Sequence, residues 1–213
     1  MNQLERQKKG LPYIADEMVC EGQKQARRLS QQLNTMDRGD FDGIRAVLKQ
    51  LFGRCDELLI NPPFYCDYGK NIEIGNGFFA NYNCTILDVG KVTIGDNCQL
   101  APNVAIYTAG HPVHPDSRNS AYEYGIPVSI GDNCWIGGNS VICPGVKIGN
   151  NVIIGAGSVV TKDIPDWTIA AGNPCKAIRR VTDEDRKYYY KKNEFDEEAW
   201  NDLAARGFAG TEK

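Results

Sequence analysis

The stretch from Ile130 to Pro165 repeats every six residues, and this period constrains the fold more than any other feature. The first position of each six is β-branched and apolar: Ile130, Ile136, Ile142, Ile148, Ile154 and Val160. The fifth position is small or branched: Cys134, Ser140, Val146, Val152, Ser158 and Ile164. A period of six is neither helical nor simple strand alternation, so it indicates a repeat architecture. Each six supplies one short strand and one corner, three corners close a triangular coil, and stacked coils bury one apolar column.

Similar sixes occur upstream, but they are interrupted. They begin at Ile74, Ala80 and Ile86 and, after a slip of two residues, at Ile94, Leu100 and Ile106. The period is then lost over residues 107–129, a segment that holds both histidines of the chain, His111 and His114. Because insertions into solenoids form loops, often on the binding face, we expect this loop to be functional.

The two ends of the chain lack the repeat. Apolar residues at intervals of three and four over Glu17–Leu33 and Phe41–Leu59 predict two amphipathic helices, the second with Asp40 as N-cap. Thr182 followed by three acids predicts a charged helix that runs towards Ala205. We therefore divide the chain into an N-terminal helical segment (1–60), a β-helix domain (61–181) with its loop (107–129), and a C-terminal helical extension (182–213).

Composition excludes several classes of protein. The net charge is -3, with 24 basic and 27 acidic residues, so no bulk field favours nucleic acid or membranes. No long apolar run and no signal-like start are present, which predicts a soluble, cytoplasmic protein. The eight cysteines show no C-x-x-C spacing, and we expect reduced thiols that serve as small apolar residues.

Several motifs together point to one family. They are Pro62-Pro-Phe-Tyr-Cys-Asp-Tyr-Gly69, Phe78-Phe-Ala-Asn-Tyr-Asn-Cys84, Gly110-His-Pro-Val-His114, Ile154–Pro165 and Ala171-Gly-Asn-Pro-Cys-Lys176. With them the chain resembles the maltose and galactoside O-acetyltransferases from about residue 10 to residue 181. The resemblance implies a mainly β fold, a left-handed parallel β-helix of hexapeptide repeats with helical segments at both ends. It also implies an acetyl-CoA-dependent transferase acting on a sugar hydroxyl in a ternary complex, as a homotrimer with active sites between subunits.

The resemblance assigns His111 as the catalytic base. A hydroxyl attacks a thioester poorly unless its proton is removed, and imidazole has the right basicity near neutral pH. We expect Gly110 to turn the chain sharply and Pro112 to restrict His111 to extended geometry. His114 is interpreted as a surface loop residue. Glu123 either orients the imidazole, meets the acceptor or is solvated.

The same resemblance implies several binding residues. Asp16, Asp67, Asn81 and Asp88 match acceptor-binding positions, although Asn81 and Asp88 also suit the chemistry of corners. The residues that match cofactor-binding positions are Asn81, Trp135, Gly138, Ala156, Thr161, Lys162, Lys176 and Arg179. The cations among them suit the phosphates of acetyl-CoA. Trp135 is an outward repeat position that could instead pack between subunits, as could Val141 and Val159. No metal is expected.

Three other functions compete with this one. The same frame can acetylate a non-sugar acceptor such as serine or an antibiotic. A zinc hydrolyase resembling carbonic anhydrase also uses this solenoid, but it needs about three histidine ligands, and the chain has two histidines. A non-catalytic scaffold subunit is the third alternative, which stabilisation of the fold by acetyl-CoA would exclude.

Overall fold

The hexapeptides form a parallel β-helix whose short strands stack into three sheets, one on each side of the coil. The computed structural model describes residues 1–208. The four-stranded face consists of β4 (Ile72–Ile74), β7 (Val92–Ile94), β12 (Val128–Ile130) and β15 (Lys147–Ile148). The seven-stranded face consists of β2 (Leu58–Ile60), β5 (Phe78–Ala80), β8 (Gln99–Leu100), β13 (Trp135–Ile136), β16 (Ile153–Ile154), β18 (Thr168–Ala171) and β19 (Lys176–Arg180). The five-stranded face consists of β3 (Phe64–Cys66), β6 (Cys84–Leu87), β9 (Ala105–Tyr107), β14 (Val141–Ile142) and β17 (Val159–Val160).

The core follows the period of six. The residues predicted to point inward are each 3% exposed or less, from Ile74 in the first coil to Val160 in the last. The small corner positions are buried as well, with Ser140 and Ser158 at 0%. Their hydroxyls both donate to the carbonyl of Gly155, so that neither polar group is left unsatisfied. Each buried β-branched residue contributes about 1.5–3 kcal/mol of transfer free energy, and the column therefore supplies most of the driving force for folding.

Asparagine turns many of the corners. Asn83, Asn97, Asn103, Asn133 and Asn151 have φ between 55 and 62°, a left-handed conformation that asparagine tolerates better than most residues. Their amides bond from coil to coil, for example from Asn133 Nδ2 to Asn151 Oδ1 over 3.0 Å. These ladders hold the coils in register.

The outward side chains differ between the faces. On the four-stranded face they are polar: Glu73, Thr93, Ser129 and Lys147. On the seven-stranded face they are mostly apolar: Leu59, Phe79, Gln99, Trp135, Ile153 and Ile169. On the five-stranded face Ala105, Val141 and Val159 continue an apolar row from Tyr65 and Thr85. Two sides of the coil therefore carry surfaces suited to burial.

The helices precede the solenoid and close its first coil. They are α1 (Gln3–Lys8), α2 (Glu17–Thr35) and α3 (Phe41–Leu51). Asp40 caps α3 as predicted, since its Oδ1 accepts from the N–H of Gly43 at 2.9 Å. The predicted extension of this helix to Leu59 is wrong. The N–H of Gly53 donates to Ile72 O in the first coil, and a Cβ at Gly53 would lie 2.3 Å from Lys70 O, so the chain has already joined the solenoid.

Residues 107–129 are more ordered than a surface loop. They contain β10 (Ala109–Gly110), α4 (Pro115–Asn119) and β11 (Tyr122–Gly125). The central β11 pairs antiparallel with β10 on one side and with β1 (Tyr13–Ile14) on the other. An N-terminal strand therefore completes a sheet that the repeat period does not predict.

A second unit begins at Arg180. It contains a 3₁₀ helix (Asp183–Lys187), a hairpin of β20 (Tyr188–Tyr190) and β21 (Asn193–Glu194), and α5 (Glu197–Ala205). The predicted continuous helix from Thr182 to Ala205 is therefore wrong, because three consecutive tyrosines favour a strand and Lys191 turns at φ 53°. Residues 209–213 of the predicted extension lie outside the described part of the chain. Within residues 1–208, no helix is long and apolar enough to cross a membrane.

Candidate active site

The three-stranded sheet positions the histidine of the loop. Tyr13 lies directly opposite Glu123, and Gly110 lies directly opposite Tyr124 on the other side of β11. His111 directly follows Gly110, the last paired residue of β10, and Glu123 directly precedes Tyr124 in β11. Because the two strands are antiparallel, His111 and Glu123 lie at the same end of the β10–β11 pair.

Gly110 is needed for a different reason from the one expected. Its φ is not in the left-handed region, so no sharp turn depends on it. A Cβ at this position would instead lie 2.5 Å from the hydroxyl oxygen of Tyr124. The glycine therefore allows the ring of Tyr124 to cover the strand that leads directly into His111.

The two histidines have different surroundings. His111 is exposed and precedes Pro112, which favours an extended backbone at His111. His114 is the N-cap of α4, and its Nδ1 accepts from the N–H of Asp116 at 3.2 Å. His114 therefore has a structural part in ordering the loop, in keeping with its interpretation as a surface residue.

Asp88 is buried, although it was a candidate for contacting the acceptor. Its side chain is 0% exposed. Its Oδ1 accepts from the N–H groups of Asp67 and Tyr68, both at 2.9 Å, and its Oδ2 accepts from the N–H of Asn71 at 3.3 Å. Of the two interpretations left open by the sequence, the structural one therefore describes this carboxylate. It holds the turn that presents Asp67.

Asp67 directly follows β3, where the chain leaves the five-stranded face. Burial, with the charges of Asp88 and Glu123, raises the pKa of Asp67 to about 6, although Arg27 lowers it. Asp16, which follows β1 and caps α2 by accepting from the N–H of Val19 at 3.0 Å, lies at the end of the three-stranded sheet. These carboxylates can accept hydrogen bonds from sugar hydroxyls.

The candidate residues divide between two edges of the coil. The histidine edge is where the chain leaves the five-stranded face; it carries Asp67, Asp88, the 107–129 loop, Thr161 and Lys162. The glycine edge is where the chain leaves the seven-stranded face; it carries Asn81, Gly138, Ala156 and Gly172. One chain therefore does not bring Asn81, Gly138 and Ala156 together with His111.

The glycine edge is a column of small residues. The N–H groups of Asn81, Ala101, Gly137 and Gly155 each donate to the coil above, at 2.7–2.9 Å. A Cβ at Gly137 would lie 2.5 Å from Ala156 N, and one at Gly138 would lie 3.1 Å from Pro102 O. The edge therefore keeps its backbone free of bulky side chains, which suits an extended ligand arm that bonds to peptide groups.

Asn81 is not the residue that turns its corner. The left-handed residue there is Asn83, with φ 62°. Asn81 is half-buried, and its Oδ1 accepts from the N–H of Tyr82 at 2.8 Å. Asn83 therefore supplies the left-handed residue of this corner, and Asn81 contributes one local hydrogen bond to it.

Comparison with known proteins decides the family. Residues 127–162 match the bacterial transferase hexapeptide family (six repeats), and residues 8–56 match the maltose acetyltransferase hexapeptide capping motif. The galactoside O-acetyltransferase of Escherichia coli is 45% identical over 178 residues, which are 81% of this chain and 88% of that one. The chain belongs to the maltose and galactoside O-acetyltransferase family. It is thus an O-acetyltransferase, and the expectation from the sequence motifs is confirmed.

Solved structures of the maltose and galactoside O-acetyltransferase family agree. The crystal structure of a maltose O-acetyltransferase from Clostridium difficile superposes with a TM-score of 0.84 at 48% identity, covering 85% of this chain and 98% of that one. A galactoside acetyltransferase in complex with coenzyme A also gives 0.84, at 40% identity, covering 92% of this chain and 99% of that one.

The cations suited to coenzyme A phosphates lie at both edges. Lys176 is exposed on β19, which follows the top of the glycine edge, and Arg179 is exposed on the same strand. Thr161 and Lys162 are exposed after β17 on the histidine edge. Trp135 is 53% exposed in the middle of the seven-stranded face, between Gln99 and Ile153.

The structure adds residues that sequence reasoning missed. Tyr13 is 1% exposed, and Gln7, 9% exposed, donates from its Nε2 to the hydroxyl of Tyr68 at 2.9 Å. Tyr13 pairs across the sheet with Glu123, and burial raises the pKa of both Tyr13 and Tyr68, with a smaller contribution from the charge of Glu123. The available signal was an aromatic residue three positions before the helix cap Asp16, which by itself is weak.

Proposed function

We propose that this acetyltransferase transfers the acetyl group of acetyl-CoA to a hydroxyl of a maltose- or galactoside-like sugar, in a ternary complex, with His111 as general base. The observation that carries the proposal is the β10–β11 pair, which brings His111 and Glu123 to the same end of one small sheet. The charge of Glu123 also raises the pKa of Asp67, after burial and the charge of Asp88. The names of the family members support a sugar acceptor.

The reaction needs one proton to move twice. His111 removes the proton of the acceptor hydroxyl while its oxygen attacks the thioester carbon. The tetrahedral intermediate then collapses to the acetyl ester, and the imidazolium returns the proton to the departing thiolate. Glu123 orients the imidazole and stabilises its cation, and Asp16 and Asp67 accept hydrogen bonds from the other hydroxyls of the sugar. General-base catalysis of this kind contributes roughly 10²–10⁴-fold in rate.

A complete site requires a second copy of the chain. The histidine edge and the glycine edge are different corners of one coil, and the two faces rich in outward apolar residues need a cover. We infer a homotrimer in which the histidine edge of one subunit meets the glycine edge of the next. Asn81, Gly138 and Ala156 then line the pantetheine arm, and Trp135 packs at the interface beside it. The residues that hold the phosphate end are Thr161, Lys162, Lys176 and Arg179.

Light scattering tests the assembly. A mass of about three chains is expected at micromolar concentration, because two faces of the coil carry rows of outward apolar residues that association would bury. A monomer that still turns over acetyl-CoA at this concentration would contradict the shared site.

The catalytic proposal is tested by replacing each histidine. His111→Ala is expected to lower kcat by about 10²–10⁴-fold, with acetyl-CoA binding and the trimer intact. His114→Ala is the matched control, because it removes the other imidazole of the same loop. The only contact it loses is the cap of α4, so kcat should change far less. CoA release is measured with a panel of maltose, lactose, glucose and serine as acceptors. A wild-type rate in folded His111→Ala would overturn the mechanism, and turnover with serine alone would overturn the sugar acceptor.

A further inference from the structure

Residues 111–113 lead from the three-stranded sheet into the loop, and backbone pairing does not hold them. The last paired residue before them is Gly110 of β10, which lies opposite Tyr124. Residues 111–113 form no backbone–backbone hydrogen bond within the described part of the chain. The side chain of Val113 is 94% exposed, so it does not anchor the segment by packing within the chain. The backbone that follows His111 is therefore held by other groups.

The side chain of Arg118 holds this backbone. Its Nη1 donates to Val113 O at 2.8 Å and to Pro112 O at 3.2 Å. Both carbonyls belong to the two residues that directly follow His111. A guanidinium suits this task, because it stays charged at any working pH and offers several N–H donors in one rigid plane.

Helix α4 fixes the position from which Arg118 reaches back. Pro115 is its first residue, a position at which the fixed φ of proline favours the helix. The N-cap is His114, and its carbonyl accepts from the N–H of Arg118 at 2.9 Å. The backbone and the side chain of Arg118 thus bond to three consecutive carbonyls, those of residues 112, 113 and 114. They close a compact turn directly after His111.

We propose that Arg118 is a positioning residue for the acetyl transfer, which fixes the backbone of His111 by holding the carbonyls of Pro112 and Val113. A general base acts only within hydrogen-bond reach of the proton that it removes. The role rests on the proposed function, because it has a purpose only if His111 is the base. It requires no contact of Arg118 with either substrate, so its loss should affect the chemical step and leave acetyl-CoA binding unchanged.

Replacing Arg118 with alanine removes both side-chain hydrogen bonds and keeps the backbone of α4. Arg118→Ala is expected to lower kcat by about 10- to 100-fold, the range that a misplacement of about 1 Å causes. The KM for acetyl-CoA should stay within about twofold. Arg118→Lys should retain more of the rate, because an ammonium can still donate to the two carbonyls. Asn119→Ala is the matched control, because Asn119 is exposed on the same helix and its side chain makes no hydrogen bond among the described residues.

A double-mutant cycle separates positioning from a general loss of structure. If Arg118 acts through His111, Arg118→Ala should cause no further loss of kcat in a His111→Ala background. Thermal unfolding is measured alongside, and Arg118→Gln takes the place of Arg118→Ala in the cycle if the alanine variant does not fold. The inference is overturned if the variant has the kcat of the wild type, if its effect is undiminished in the His111→Ala background, or if the KM for acetyl-CoA rises as much as kcat falls.

The single variant His111→Ala distinguishes this failure from that of the proposed function. If folded His111→Ala is active at the wild-type rate, the general-base proposal fails, and the role of Arg118 fails with it. If His111→Ala is inactive while Arg118→Ala is normal, only the role of Arg118 is refuted. All assays use the full chain and the acceptor in the panel that releases the most CoA.

Discussion

Replacing Asp67 with asparagine should stabilise the protein, and more so at high pH. Burial and the charge of Asp88 raise the pKa of Asp67 to about 6 from its ordinary 3.8. The folded state therefore binds more protons than the unfolded state between these values, so stability falls as the pH rises through this range. At 1.36 kcal/mol per pH unit the full difference corresponds to about 3 kcal/mol. Because the side chain is only half-buried, solvent screening reduces this to about 1–2 kcal/mol.

Urea denaturation at a fixed protein concentration measures the effect. Asp67→Asn keeps the shape of the side chain and the N–H that Asp88 accepts, so the turn should survive. Its gain in unfolding free energy should roughly double between pH 5 and pH 8, because about half of the penalty is already present at pH 5. Asp42→Asn, whose side chain is 95% exposed, should change stability by less than about 0.5 kcal/mol at both pH values. A gain from Asp67→Asn that is equal at the two pH values, or absent at pH 8, would refute the reasoning.

Three further predictions concern the cofactor, the loop and the thiols. Lys176→Ala or Arg179→Ala should raise the KM for acetyl-CoA and leave that of the acceptor nearly unchanged; an equal effect on both would mean that they hold structure. Gly110→Ala should lower kcat by about 10-fold because its Cβ displaces Tyr124, and Tyr124→Ala in the same chain should restore part of the rate; a wild-type rate in the single variant would contradict this. Thiol titration of denatured, unreduced protein should find all eight cysteines, and the native protein should react fastest at exposed Cys20; fewer thiols would contradict the reduced state.

The solenoid could be predicted because its period is also its packing rule. A residue such as Ile136 points inward because the coil leaves it no other direction, and every sixth residue meets the same condition. The helix Glu17–Thr35 could also be predicted from the sequence, because the residues of its apolar face recur with a helical period. Where the pattern is long and regular, local sequence and tertiary burial agree.

Short and non-local elements could not be predicted in this way. Strand β1 has two residues and pairs with a strand far along the chain, so no periodicity marks it. The C-terminal segment failed for another reason. The three acidic residues after Thr182 are typical of the first turn of a helix, and Thr182 does cap one. That helix is a short 3₁₀ helix, however, and it ends where Tyr188–Tyr190 form a strand.

In the candidate site, residue type alone does not show which side chains can meet a ligand. By residue type, Asp67 and Asp88 are equally good partners for a sugar. The structure distinguishes the two carboxylates. Both oxygens of Asp88 accept hydrogen bonds from backbone N–H groups, whereas the side chain of Asp67 makes no such bond among the described residues. Likewise the motifs suggest one list of residues, whereas the coil distributes them over two edges. Burial and topology, which no motif encodes, decide which of these residues can meet.

The slip of two residues between Ile86 and Ile94 follows from the docking of the loop. The extra residues include Val89 and Gly90, and a Cβ at Gly125 in the returning strand would lie 2.7 Å from Gly90 N. Thr108, at the base of the loop, accepts from the N–H of Gly90 at 2.8 Å and donates to Leu87 O at 2.6 Å. The irregular coil therefore forms the surface against which β11 packs, and β11 carries Glu123. The break in the repeat has a structural reason, because a coil without Gly90 would leave no space for Gly125.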